Sequence, residues 1–169
     1  DVIPSSKVQT LVIGDGVEIP TRGSEAETLD FSNKGFGPGE VVLISALVIP
    51  FSAGISEVNL SANKCFGADT YGDHLIDNDQ SGWNGFCEAL RGTEIKTLVI
   101  SDIGLGPMGL STLATVMSDM AGISEVNLSA NKCFGSCGRL HHIDKDQSGW
   151  TTFCETLKDR NSIQTLVLA

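Results

Sequence analysis

The chain has 169 residues, 41% of them apolar and 19% charged, and a formal net charge of −10. That length suits one domain, and no apolar run reaches the ~18 residues of a membrane span; the longest candidate, Val41–Phe51, is interrupted by Ser45 and Pro50. The acidity argues against nucleic acid and anionic membranes, which bind clustered Lys and Arg, and suits a basic protein partner or bound cations.

No secretory signal opens the chain, which begins at Asp1 without an initiator Met, as a processed or trimmed chain would. The five cysteines are Cys65, Cys87, Cys133, Cys137 and Cys154. Cys65 and Cys133 hold one equivalent place in successive repeats, and Cys87 and Cys154 another. That placement, and the odd total, favour buried reduced thiols over disulfides, and with them a reducing compartment.

Fifteen residues, AGISEVNLSANKCFG, occupy Ala53–Gly67 and return unchanged at Ala121–Gly135, 68 positions later. Such a duplication makes this a repeat protein. In ISEVNLSANKC the apolar residues stand at the first, fourth and sixth places, Asn at the ninth and Cys at the eleventh. The pattern starts six times in chain order, near residues 8, 26, 55, 95, 123 and 163.

Val8, Leu11 and Ile13 open the first copy, with Gly16 at the ninth place and only PTRGSE before the next strand. Ala26, Leu29 and Phe31 open the second, with Lys34 at the ninth place and Phe36 at the eleventh. A helix follows, over roughly 39–49. Val41, Ile44, Leu47 and Val48 face inward at helical spacing, which leaves Val42, Leu43 and Ile49 outside, with Phe51 beyond. Such an exposed patch marks a contact site, unless the helix tilts into the room left by the missing first helix.

Ile55, Val58, Leu60, Asn63 and Cys65 make the third copy. After an insertion, Trp83, Phe86, Cys87 and Leu90 recur at helical spacing. The fourth copy has Ile95, Leu98, Ile100 and Leu105, with Ile103 at the ninth place. Pro107 then begins a helix that carries Leu110, Leu113, Val116 and Met117. Ile123, Val126, Leu128, Asn131 and Cys133 form the fifth copy, again with an insertion. Ile163, Leu166 and Leu168 begin a sixth, where the sequence stops.

The pattern LxxLxLxxNxL followed by a GxxxLxxxL helix resembles the leucine-rich repeat. The unit Ile95–Gly122 is similar to the ribonuclease-inhibitor-like subclass, whose strands are each followed by a full helix. The resemblance implies an α/β solenoid, with a curved parallel sheet inside and helices outside, over about five repeats and a terminal strand. Elementary geometry leads the same way: strands joined by helical crossovers are parallel, and one strand–helix unit cannot bury its own face. Six strands would span ~25 Å. The last strand lacks its helix and would show apolar residues to water. The expectation is therefore that residues 1–169 belong to a longer solenoid, or that something covers this end.

Each insertion reads D-x-D-x-S-G-x5-E and resembles the EF-hand calcium loop. By that likeness Asp77, Asp79, Ser81 and Glu88, with the Trp83 carbonyl, would hold one Ca2+. Asp144, Asp146, Ser148 and Glu155, with the Trp150 carbonyl, would hold another, and Gly82 and Gly149 would supply the sharp turn. The competing reading makes Ser81 and Ser148 helix N-caps, with Asp79 and Asp146 favouring the positive helix ends. No helix enters either loop, and Asn84 and Thr151 stand where the family has an aliphatic residue. Zinc is a weaker candidate, through Cys133, Cys137, His141 and Asp144, or Cys65, Asp69 and His74, at spacings that match no closed site.

Gly104, Gly106 and Gly109 form a GxGxxG after a strand, but the repeat itself accounts for Gly109, and Glu125 lies inside the duplicated strand. No nucleophile–base pair recurs; His74, His141 and His142 all lie in insertions. The sequence therefore points to a non-enzyme. The favoured surface is the exposed sheet face, with Ser56, Glu57, Asn59, Lys96, Thr97, Val99, Ser124, Glu125 and Asn127 at its centre. A scaffold or protein-interaction role follows from the family resemblance, with a calcium-responsive module as the alternative.

Overall fold

The computed structural model describes residues 10–13, 16–20, 27–51, 54–134, 145–158 and 162–168. Five short strands form one parallel sheet in chain order: β3 (Thr28–Asp30), β4 (Glu57–Asn59), β5 (Thr97–Val99), β6 (Glu125–Asn127) and β7 (Thr165–Val167). Four helices connect them: α1 (Pro38–Leu47), α2 (Ser81–Leu90), α3 (Pro107–Met117) and α4 (Ser148–Lys158). The protein is thus a mixed α/β fold. Among the described residues no helix is long and apolar enough to cross a membrane.

The first copy departs from the expected pattern. Instead of adding a sixth parallel strand, β1 (Thr10–Ile13) and β2 (Val17–Pro20) pair with each other as an antiparallel hairpin. Gly16 in its turn has φ +87°, a conformation open to glycine. The hairpin still contributes Ile13 and Ile19 to the core. Val8 and Ala26 lie outside the described residues.

The parallel register explains the apolar pattern. Leu29, Val58, Leu98, Val126 and Leu166 stand side by side on the inner face. Ile55, Leu60, Ile95, Ile100, Ile123 and Leu128 flank them, all buried. The helices cover this face with Ile44, Trp83, Phe86, Leu110, Leu113 and Phe153.

The ninth-place Asn is used unexpectedly. Asn63 is fully buried and laces the turn of the copy before it: Lys34 N and Phe36 N donate to its Oδ1, both at 3.0 Å. Its Nδ2 donates to Phe31 O and Leu60 O, both at 2.8 Å. Asn131 repeats this on the fourth copy, accepting from Ile103 N and Leu105 N and donating to Ile100 O and Leu128 O. The second and fourth copies lack Asn at the ninth place and receive these bonds; the third and fifth supply them. The period is therefore two copies.

Helix packing has the same period. α1 packs closely on α2, and α3 on α4, whereas α2 and α3 touch far less. Each close pair depends on a glycine in the duplicated SGW. A Cβ at Gly82 would lie 2.4 Å from Pro38 O, and one at Gly149 would lie 2.2 Å from Pro107 O. Gly82→Ala should therefore cost about 2–3 kcal/mol of stability by urea denaturation. Gly85→Ala, exposed and in the same helix, meets nothing nearer than 3.7 Å; it should be neutral or gain up to about 1 kcal/mol. Equal effects of the two substitutions would refute the close-approach account.

Candidate functional site

The first insertion folds back on the fourth copy. Ala68 and His74 form an isolated antiparallel bridge, and Leu75 N donates to Gly67 O at 3.1 Å. Asp77, with φ +52°, places its carboxylate at the start of α3. Gly106 N and Gly109 N donate to its Oδ1 at 2.9 and 3.0 Å, and Met108 N to its Oδ2 at 2.7 Å. This caps a helix that has only Gly106 as its N-cap and no acid in its first turn. Both glycines are required: a Cβ at Gly106 or Gly109 would come within 3.0 Å of that carboxylate.

Among the described residues, the other side chains of the expected calcium set make contacts of their own. Asp79 Oδ1 accepts Ser81 N at 2.9 Å, and Asp146 Oδ1 accepts Ser148 N at the same distance. The serine hydroxyl and N–H beside each carboxyl hold it below its usual range. The aspartates, rather than the serine hydroxyls, bind the first free N–H of α2 and α4, which corrects the expected capping. Glu88 sits on α2 and pairs with Arg91 at 2.8 Å, and Arg91 also reaches Asp119. Gly82 and Gly149 are helical residues without positive φ, so they make helix contacts instead of the sharp loop turn. Glu155 is exposed on α4, and Asp144 lies outside the described residues.

The described thiols and histidines form no metal-binding group either. Cys65, Cys87 and Cys133 are buried and free, and Cys154, expected in the core, is exposed. Burial pushes the Cys65 and Cys133 thiols up to about 12, which keeps them protonated. Asp69 Oδ1 accepts N–H groups of its own turn, from Tyr71 and Asp73. Cys137, His141 and His142 lie outside the described residues. Among the described residues, no group of three His, Cys, Asp or Glu side chains could hold a metal ion. His74 Nε2 lies 3.0 Å from Asp102 Oδ1, and its Nδ1 is buried without a partner.

The exposed face of the sheet collects the predicted contact residues in two cross-strand rows. One runs Thr28, Glu57, Thr97, Glu125 and Thr165; the other runs Asp30, Asn59, Val99, Asn127 and Val167. Asn59 and Asn127 are held in place, each Oδ1 accepting the hydroxyl and N–H of the serine two residues on. Ser56 and Ser124 turn to the preceding strand and donate to Glu27 O and Lys96 O. Lys96 is exposed beside these rows.

On α1, Val42 and Leu43 are exposed as expected, but Ile49 is buried at 5% exposure. The residue before a proline avoids the α conformation. The helix ends at Leu47, and Ile49 enters a 3-10 turn (Ile49–Phe51) that carries it inward. The apolar patch is thus smaller than the helical spacing implied.

No family model matches the chain, and no curated protein matches it. Among solved structures it is similar to leiomodin-1 actin-binding site 2, with a TM-score of 0.62 at 11% identity, over 86% of this chain and 71% of that one. At that identity the likeness is one of fold.

Two measurements test the site. Asp77→Ala should cost about 1–3 kcal/mol in urea denaturation, and Asp77→Asn less, because an amide oxygen still accepts but carries no charge. Equal stability of all three proteins would refute the cap. Burial, with Lys64 nearby, lowers the pKa of His74 below 6.5, while Asp102 opposes the shift. Protonation therefore opposes folding: His74 carries no penalty above pH 6.5 and a growing one as pH falls through it. His74→Gln should flatten that part of the stability–pH curve, and an unchanged slope would remove the assignment.

Proposed function

We propose that the chain is a leucine-rich-repeat module of the ribonuclease-inhibitor-like kind, which binds a partner protein through its exposed sheet face without catalysis. The repeat assignment is supported by apolar burial at the first, fourth and sixth places, ninth-place Asn residues that lace turns, and alternation of parallel strands with helices. The partner-binding reading is carried by one observation. The two rows on the sheet face project side chains that the core does not use, in a spacing set by the strands.

Glu57 and Glu125 flank Thr97 two strands apart, or ~10 Å. With Asp30 and Glu27 nearby, the face is acidic despite Lys96. It therefore suits a partner with two basic groups at about that spacing, and charge complementarity would favour rapid, specific association. The actin-binding site in leiomodin-1, similar in fold, supports the use of such a scaffold for docking a protein.

A photo-crosslinking residue placed at Thr97 should capture a partner from an extract of the source cells; one at Thr115, on the helical side, should not. Glu57→Lys combined with Glu125→Lys should weaken that capture roughly tenfold or more, with the far-UV circular dichroism unchanged. Equal capture from both faces, or indifference to the charge reversals, would sink the reading. Val42→Asp with Leu43→Asp reports separately on the helical patch: loss of capture there would move the contact to α1.

A further inference from the structure

The duplication permits a comparison within one molecule: the same residues occur once in the middle of the fold and once at its β7 edge. In the middle, Leu60, Asn63, Cys65, Phe66, Trp83 and Ile100 are all fully buried. The first turn of α3 lies over Phe66 and Trp83. Trp83 Nε1 donates to Gly109 O at 2.9 Å. The rings of Phe66 and Trp83 lie 5.5 Å apart, and Phe66 Cζ lies so close to Gly109 that a Cβ there would come within 2.9 Å.

At the edge, the counterparts are Leu128, Asn131, Cys133, Phe134, Trp150 and Leu168, and they line a depression of about 170 Å³. Phe134 is 43% exposed and Leu168 51%. Trp150 keeps its place against Phe134 and Phe153, with ring centroids 5.0 and 5.5 Å away. Only 9% of Trp150 is exposed, and its Nε1 is buried without a hydrogen-bond partner among the described residues. An indole N–H desolvated in this way is costly unless an acceptor meets it.

We propose that this end of the fold binds a turn–helix segment of the form taken by residues 101–117. Its apolar turn residues would fill the depression, and a carbonyl in its first helical turn would accept the Trp150 indole N–H. This site is independent of the sheet-face reading. The occupant needs glycine where α3 has Gly109, because a side chain there would strike the aromatic ring below it, as the Phe66 contact shows.

That requirement excludes the obvious alternative, a second copy of this chain presenting α1. The turn before α1, Gly35-Phe36-Gly37-Pro38, matches Gly104-Leu105-Gly106-Pro107, but Glu40 stands in the place of Gly109. Glu40 also caps its own helix, its Oε2 accepting Gly37 N at 2.9 Å. α1 thus has a side chain in the way and no free N-terminus to offer, whereas α3 depends on its neighbour for both.

The test appends a copy of residues 102–120 after Ala169, which stands in the place of Ser101. The chain has two tryptophans, so two indole N–H signals are followed by nitrogen-15 NMR and assigned with Trp150→Phe. Hydrogen exchange at the Trp150 indole should slow about tenfold, as one added hydrogen bond would give, with Trp83 unchanged as internal reference. An extension carrying Glu in place of its copy of Gly109 should give no slowing. The proposal is overturned if the glycine extension leaves the Trp150 signal as it was, or if both extensions protect it equally. It is also overturned if the unextended chain alone shows protection that rises with protein concentration, which would make a second copy the occupant.

Discussion

Tight turns at the ends of short parallel strands leave backbone N–H and C=O groups pointing into a dry interior, where an unmet group costs free energy comparable to a lost hydrogen bond. In this protein the turns cannot satisfy themselves, and the neighbouring copy does it for them. Asn63 and Asn131 each use both lone pairs of Oδ1 and both protons of Nδ2, the full capacity of an amide. Asp77 does the same for the start of α3 in the opposite direction along the chain. The apolar core supplies most of the driving force, but these polar contacts dictate which turn faces which.

The glycines follow from that arrangement. Once Asp77 sits at the helix start, Gly106 and Gly109 are the residues that leave it room. Once α2 lies on the first turn of α1, Gly82 is the residue that permits backbone contact with Pro38, as Gly149 does with Pro107. The D-x-D-x-S-G of the first insertion therefore has a mechanical account: Asp77 caps the next helix, Asp79 caps its own, and Gly82 allows two helices to touch.

The regular parts of this fold were legible because they rest on period. Alternation around Val58, Leu98 and Val126 shows which side of each strand is inward, and Trp83, Phe86 and Leu90 recur at helical spacing. Contacts between copies were less legible. The ninth-place Asn could be seen, but not that it serves the preceding turn. Asp77 reads from sequence as a cation ligand because the N–H groups that donate to it lie 29 to 32 residues ahead; the available clue was that α3 carries no side-chain cap of its own. Two readings failed for local reasons. The first copy has Gly14-Asp15-Gly16 between two apolar runs, a hairpin signal, and Ile49 stands before Pro50, where a helix ends.

The two-copy period sets the quantum by which such a chain can lengthen or shorten. Excising residues 55–122 would bring Ile123 directly after Gly54, and Asn131 would meet the turn at Lys34 and Phe36 as Asn63 does now, because the fifteen residues around each Asn are identical. Excising a single copy would instead set Ile103 against that turn, and its buried amides would face a side chain with nothing to accept them. Tandem duplication in this architecture is therefore tolerated in even steps, and the exact repeat of AGISEVNLSANKCFG at 68 residues is the mark of one such step.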